Sequence, residues 1–159
     1  MIFQEAFLAV EDLRVAIPSL FDGVEIVVAF GPGRPAVGHW GDEEKIGMLV
    51  TGDGIGNKSG LYFFSSSAGE IIYIGKATRN NLHYRVWDHM KTPLALEDGR
   101  RVFPKHEFTY AEGDVCHEEI LEGRIHLDVI TISDSELVSL VEVFCIYCTR
   151  RNMDDCPFS

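Results

Sequence analysis

The chain has 159 residues, long enough for one domain with a hydrophobic core, and its composition of 46% hydrophobic and 25% charged residues is typical of a globular protein. Its net charge of −11 argues against a simple nucleic-acid binder, because neutralising phosphates requires lysine and arginine. The first residues lack the basic segment of a signal peptide, and no apolar run approaches the ~20 residues that span a bilayer, so we expect a cytoplasmic protein without a membrane segment.

The first part of the chain, residues 1–58, is predicted to contain one helix, one strand and a second, weaker strand at residues 45–51. Apolar residues recur at helical spacing over residues 3–13, which favours a short helix. Residues 23–30 read as a strand that ends at Gly31-Pro32-Gly33. We therefore expect residues 1–58 to form an α/β extension packed on or beside the rest of the domain.

A β-hairpin is predicted next. The apolar runs at residues 61–64 and 71–74 are joined by a polar segment that contains Gly69. Two apolar runs separated by such a turn are the pattern of paired antiparallel strands.

The hairpin leads into a predicted helix and then a long polar stretch. Asn80 or Asn81 is suited to cap a helix that runs to about His89 or Met90. Residues 91–123 are polar and contain several prolines and glycines, so we expect a loop insertion there with little regular structure.

The last part of the chain predicts a strand and a second long helix. Residues 125–132 alternate as a strand does, and Ser133 and Glu136 have the spacing of a capping box. The helix behind them, residues 136–150, carries Glu142 beside its apolar stripe. That stripe is predicted to consist of Leu137, Leu140, Val141, Phe144 and Cys148.

The order of elements from residue 59 onward is therefore β-β-α-β-α. It predicts an α+β fold, in which a small three-stranded antiparallel sheet is flanked by helices and residues 1–58 add an N-terminal α/β extension. We expect residues 59–159 to form the functional domain.

Charge is distributed unevenly. The segment of residues 76–105 holds seven basic and three acidic residues, a net charge of +4, whereas the remainder carries −15. A basic segment on an acidic body can guide a polyanion such as DNA to one face. The acidic surface leaves open a protein partner or a homodimer.

Chemistry-bearing residues cluster around the hairpin and the helix after it. Two tyrosines, a lysine, an arginine and a histidine are expected at one end of the sheet, namely Tyr62, Tyr73, Lys76, Arg85 and His89. Phosphodiester hydrolysis needs an in-line nucleophile, relief of charge on the phosphoryl oxygens and help for the leaving oxygen. This set of side chains suits that chemistry.

These residues also carry a family resemblance. Gly60-Leu61-Tyr62 and Tyr73-Ile74-Gly75, followed by Lys76-Ala77, resemble the two signatures of the GIY-YIG nuclease family. Over residues 59–152 the resemblance extends to Arg85, His89, Glu142 and Asn152. The chain departs from the family at Leu61, in the middle of the first signature, and in a path from Tyr73 to Arg85 that is about two residues longer than usual.

The resemblance implies a role for each matched residue. Glu142 is expected to bind one Mg²⁺ or Mn²⁺ ion, and Tyr62 to act as general base. Arg85 is expected to hold the scissile phosphate and Tyr73 to position the nucleophile. His89 and Lys76 are expected to contact phosphate or to transfer a proton. Gly60 and Gly75 are expected to allow close backbone approach, and Asn152 is expected to support the site.

The sequence thus predicts a metal-dependent DNA endonuclease, in repair or defence. The first alternative is an inactive module with a nuclease fold that binds nucleic acid or a protein. The second is a zinc-stabilised interaction domain, which would use Cys116, Cys145, Cys148 and Cys156.

Overall fold

The computed structural model describes residues 1–30, 36–37, 55–90, 94–95, 101–102 and 124–150. Its helices are α1 (Phe3–Ala16), α2 (Leu82–Met90) and α3 (Leu137–Arg150), with 3-10 turns at Pro18–Leu20 and Ile55–Asn57. Its strands are β1 (Ile26–Ala29), β2 (Ala36–Val37), β3 (Gly60–Ser65), β4 (Ile71–Ala77), β5 (Leu94–Ala95), β6 (Arg101–Val102) and β7 (Ile125–Ile132).

The main sheet is antiparallel, with the strand order β1-β7-β3-β4. The short strand β2 also pairs with β7, and β5 and β6 pair with each other. The predicted α+β class is confirmed, but the sheet is larger than the predicted three strands, because β1 extends it. Residues 26–29 of β1 pair with residues 129–132 of β7, so a strand of the N-terminal part belongs to the same sheet.

Helices cover both faces of this sheet. Along β3, Leu61 and Phe63 pack with residues of α1 and α3, whereas Tyr62 and Phe64 pack with residues of α2. All four side chains are fully buried. Side chains alternate between the faces of a strand, so an unbroken apolar run is what a strand covered on both sides requires.

Helix α1 ends three residues beyond the predicted segment and packs on the same face as α3. The Phe3 ring meets the edge of the Phe63 ring at a centroid distance of 5.3 Å. The backbone N–H of Ile71 donates to the carbonyl oxygen of Met1 at 3.0 Å, which ties the start of the chain to β4.

Helix α3 forms as predicted, but its buried stripe differs. The buried residues are Leu137, Val138, Val141, Cys145 and Cys148. The prediction that Leu140 belongs to the stripe is wrong, since its side chain is 43% exposed. The side of α3 that is buried depends on how the helix lies on β3 and β4, and several faces of such an apolar helix satisfy a helical repeat.

The start of α3 also differs from the prediction. The hydroxyl oxygen of Ser133 accepts a hydrogen bond from the backbone N–H of Glu25 at 2.9 Å, so it links β7 to the N-terminal region. The carboxylate of Asp134 accepts from the N–H of Glu136 at 2.9 Å. The predicted capping box is therefore wrong, because the Ser133 hydroxyl binds a distant partner.

None of the helices in the described ranges is long and apolar enough to cross a membrane.

Candidate active site

The Tyr62 ring crosses Gly75. The two residues are direct partners in the β3–β4 ladder, and Tyr62 is fully buried. A Cβ atom on Gly75 would overlap the Cζ and hydroxyl oxygen atoms of Tyr62. The missing side chain of Gly75 is thus what allows the phenol ring to lie flat across β4.

Tyr73 lies beside Tyr62 on the same face of the sheet. The two ring centroids are 6.0 Å apart, and a hydrogen bond joins the two side chains. Burial raises the pKa of Tyr62 well above its usual value near 10.0, and the charge of Tyr73 and this hydrogen bond act in the same direction. The Arg85 charge lowers the pKa but does not outweigh them, so the Tyr62 hydroxyl stays protonated at neutral pH.

Arg85 reaches β4 from the side of α2. Its Nε–H donates to the backbone carbonyl oxygen of Lys76 at 3.4 Å, while the residue as a whole remains exposed. The guanidinium group is therefore held next to the strand yet open to solvent. A planar donor in this position can bind a phosphate through two hydrogen bonds.

Lys76 and Glu142 form an ion pair on the opposite face of the sheet. Lys76 is the ladder partner of Leu61, whose side chain packs on the side of α1 and α3. The Lys76 Nζ atom lies 2.7 Å from Oε2 of Glu142 on α3. The Glu142 side chain is 15% exposed and that of Lys76 38% exposed, so the pair borders solvent.

Side chains from both faces therefore converge on two neighbouring residues of β4, Gly75 and Lys76. The charges of Arg85 and Glu142 both act on the Tyr62 hydroxyl, the first lowering and the second raising its pKa. Strand β4 is the last strand of the described sheet, which allows groups on opposite faces to meet around it.

Gly60 occupies a similarly crowded position. It pairs with Ala77 on one side and Thr131 on the other. A Cβ atom there would overlap the carbonyl oxygen of Ile130. The close approach of β3 and β7 at this point therefore depends on glycine.

Ser59, which the sequence does not single out, and Asn80, one of the two candidate cap residues, fix the start of α2. The hydroxyl of Ser59 donates to Oδ1 of Asn80 at 3.1 Å and accepts from the Asn80 backbone N–H at 3.0 Å. Asn80 has a positive φ of 53°, which asparagine tolerates better than most residues. This pair anchors the turn between β4 and α2, and hence the position of Arg85.

Two predicted site residues fall outside the described side chains. The backbone of His89 belongs to α2, but its side chain is not described, and Asn152 lies beyond the described residues. Most of the predicted loop insertion and its basic residues also lie outside; of the segment 76–105, the side chains of Lys76, Arg79 and Arg85 are described.

The donor chemistry of the site suits a hard divalent ion. Mg²⁺ needs few protein ligands, because it keeps several waters and binds one or two carboxylates together with substrate phosphate. Glu142 supplies one carboxylate that borders solvent, although Lys76 engages its Oε2 atom. In the described ranges no group of three or more His, Cys, Asp or Glu residues is placed to hold a metal.

The cysteines offer no metal centre within the described ranges. Cys145 and Cys148 are buried cysteines on α3. Burial raises the pKa of Cys145 to about 12, so its thiol remains protonated and is a poor zinc ligand as it stands. Cys116 and Cys156 lie outside the described residues.

Comparison of the chain with models of protein families, with curated proteins and with solved structures finds no match. The resemblance to GIY-YIG nucleases therefore rests on the sequence motifs and stays a prediction.

Proposed function

We propose that the protein is a metal-dependent endonuclease of the GIY-YIG type, which hydrolyses phosphodiester bonds in DNA in the cytoplasm, in repair or defence. The observation that carries this proposal is the convergence of two tyrosines, an arginine, a lysine and a glutamate on residues 75 and 76 of β4. The hydrogen bond between Tyr62 and Tyr73 and the ion pair between Lys76 and Glu142 define the two halves of that cluster.

Each side chain has a task in this chemistry. Arg85 binds the scissile phosphate, since its guanidinium is exposed and held at β4. Tyr62 is the proposed general base, for which its fully buried hydroxyl must first be exposed to the attacking water, and Tyr73, hydrogen-bonded to it, is proposed to position the nucleophile. Because burial keeps Tyr62 protonated, its action as a base requires added positive charge beside it.

Glu142 is the proposed ligand for Mg²⁺ or Mn²⁺. A divalent ion bound there would supply Lewis-acid stabilisation of the charge on the phosphoryl and leaving oxygens. Glu142 is the residue that would hold it, through its carboxylate. The charge of Glu142 already acts on Tyr62, so the two halves of the site are electrostatically coupled.

DNA is proposed to approach the face that carries Arg79 and Arg85. Both residues are exposed, and they belong to the basic segment of an otherwise acidic chain. The acidic remainder repels DNA, which restricts productive approach to this face. It also leaves a protein partner or a homodimer open.

A catalytically inactive binding module is the second candidate. The ion pair that engages Glu142 and the raised pKa of Tyr62 both favour it, because they leave neither a vacant carboxylate nor a ready base. Such a module would bind DNA or a protein partner without cutting.

One assay distinguishes the two candidate functions. Wild type, Glu142→Ala and Arg85→Ala are incubated with single-stranded, duplex, branched and nicked DNA in Mg²⁺, in Mn²⁺ or in a chelator. The endonuclease proposal predicts metal-dependent cleavage that both substitutions abolish. Binding without cleavage of any substrate supports the inactive module, and cleavage that survives Glu142→Ala contradicts the assigned role of Glu142.

A further inference from the structure

Lys76 places a positive charge where the proposed metal ligand offers its oxygen. Its Nζ atom lies 2.7 Å from Oε2 of Glu142, the distance of a charge-assisted hydrogen bond. A divalent ion that binds Glu142 would meet this ammonium at close range, and like charges that share one carboxylate repel each other. The ion and the ammonium therefore compete for the same group.

The two partners differ in how firmly they are held. Glu142 sits on α3 with a side chain that is only 15% exposed, whereas Lys76 is 38% exposed on the last strand of the described sheet. A lysine ammonium is a compact charge on a flexible four-carbon stem, so it can leave the carboxylate and remain hydrated. Lys76 is thus the movable partner of the pair.

We propose, building on the endonuclease function, that Lys76 is an internal competitor for the divalent ion at Glu142 and is released when that ion binds. In the metal-free protein the pair cancels one positive and one negative charge. Metal binding frees the ammonium of Lys76, a residue whose backbone carbonyl oxygen accepts from the Arg85 Nε–H on the other side of the sheet. The positive charge of Lys76 is then no longer cancelled by Glu142, and this happens only when the site holds the metal.

The size of the effect follows from the exposure of the pair. Ion pairs that border solvent are worth little, and measured values correspond to a factor of about two to five in an equilibrium constant. Removing the ammonium while keeping the stem is therefore expected to tighten metal binding at Glu142 by about two- to fivefold.

The test measures metal binding and not cleavage. Mn²⁺ is titrated into the full chain without DNA, and free Mn²⁺ is measured by electron paramagnetic resonance. The variants are wild type, Lys76→Met, Glu142→Gln and Lys58→Met. Lys58 is exposed and has no ion pair among the described residues, so Lys58→Met removes the same charge elsewhere. Circular dichroism checks folding, and Lys76→Gln replaces Lys76→Met if the latter unfolds.

The inference predicts that Lys76→Met tightens Mn²⁺ binding about two- to fivefold, that Lys58→Met matches wild type and that Glu142→Gln abolishes the site. If binding depends on Glu142 but Lys76→Met matches Lys58→Met or binds more weakly, the inference is overturned and the proposed metal site survives. If no variant shows binding that depends on Glu142, the metal site of the proposed function is overturned, and the inference with it.

Discussion

Gly75 is the residue on which the position of the Tyr62 ring depends. In a Gly75→Ala variant the new methyl group would overlap the end of that ring, so the ring or the strand must shift. Such overpacking typically costs about 1 to 3 kcal/mol. We expect a loss of this size in the free energy of unfolding, measured by urea denaturation.

The cause of that loss is tested by a double-mutant cycle. In a Tyr62→Ala background the ring is absent, so Gly75→Ala is expected to cost less than about 0.5 kcal/mol there. An equal cost in both backgrounds would show that the ring is not what excludes a side chain at residue 75.

Tyr62 also predicts a pH dependence of stability. Its folded-state pKa is raised, mainly by burial, so it stays protonated in the folded chain when the unfolded chain deprotonates near pH 10. The contribution of the protonated Tyr62 phenol to the unfolding free energy is complete below pH 10 and is lost as the pH rises further. Between pH 9 and pH 11 the wild type is expected to lose about 1.4 kcal/mol more unfolding free energy than Tyr62→Phe.

Urea denaturation of both proteins at several pH values provides this measurement. Groups that do not interact with Tyr62 titrate alike in both proteins and cancel in the difference. The hydrogen bond to Tyr73, which Tyr62→Phe removes, adds an offset that is constant while Tyr62 remains protonated. Parallel curves for the two proteins would mean that the Tyr62 pKa is not raised.

At the scale of elements, α3 joins the core to the site. Val141 is fully buried against the sheet, whereas Val143, two residues later, is 62% exposed. We expect Val141→Ala to lower the unfolding free energy by about 2 kcal/mol through lost burial and a residual cavity. Val143→Ala, which makes the same chemical change on the same helix, is expected to stay within about 0.5 kcal/mol of wild type. Equal losses in thermal or urea denaturation would contradict the observed orientation of α3.

The elements themselves were largely predictable from local patterns. The hairpin strands, the strand at residues 125–132 and the three α-helices all have a hydrophobic period or turn that lies within the element. The buried face of α3 was less predictable, because Val138 and Cys145 are buried, whereas the pattern favoured burial of Leu140. Nothing within the helix distinguishes these choices, since the sheet beneath it selects the face.

Long-range pairings were beyond the reach of these patterns. Residues 23–30 were recognised as strand-like, but nothing near them indicates that Ile26 pairs with Ile132. The hydroxyl of Ser133 resembled a helix cap and instead binds Glu25, which is 108 residues away. In the candidate site, the residue types were predicted, whereas the ion pair between Lys76 and Glu142 depends on how α3 packs against β4.

At the scale of the whole molecule, charge is the feature that most constrains DNA binding. The net charge of −11 means that affinity must come from a local group of cations. We expect Arg85→Ala to weaken duplex binding and to reduce the slope of log affinity against log salt concentration by about one. Fluorescence anisotropy across a range of KCl concentrations, in a chelator to prevent cleavage, measures both quantities.

Arg14 is the matched control for this effect. It lies on α1 and pairs with Glu11 at 3.5 Å, so Arg14→Ala removes the same formal charge from another face. That variant is expected to bind DNA as wild type does. If Arg14→Ala and Arg85→Ala change the salt slope equally, binding does not depend on the face that carries Arg85.

The central claim, that this fold cuts DNA with a metal held by Glu142, is tested most directly by single-turnover cleavage in Mg²⁺. Wild type is compared with Glu142→Gln and with Glu136→Gln, an exposed glutamate just before α3. Loss of Lewis-acid stabilisation worth several kcal/mol predicts that Glu142→Gln cuts at least about 100-fold more slowly, while Glu136→Gln matches wild type. A Glu142→Gln rate equal to that of wild type, or no cleavage of any DNA substrate by wild type, would contradict the claim.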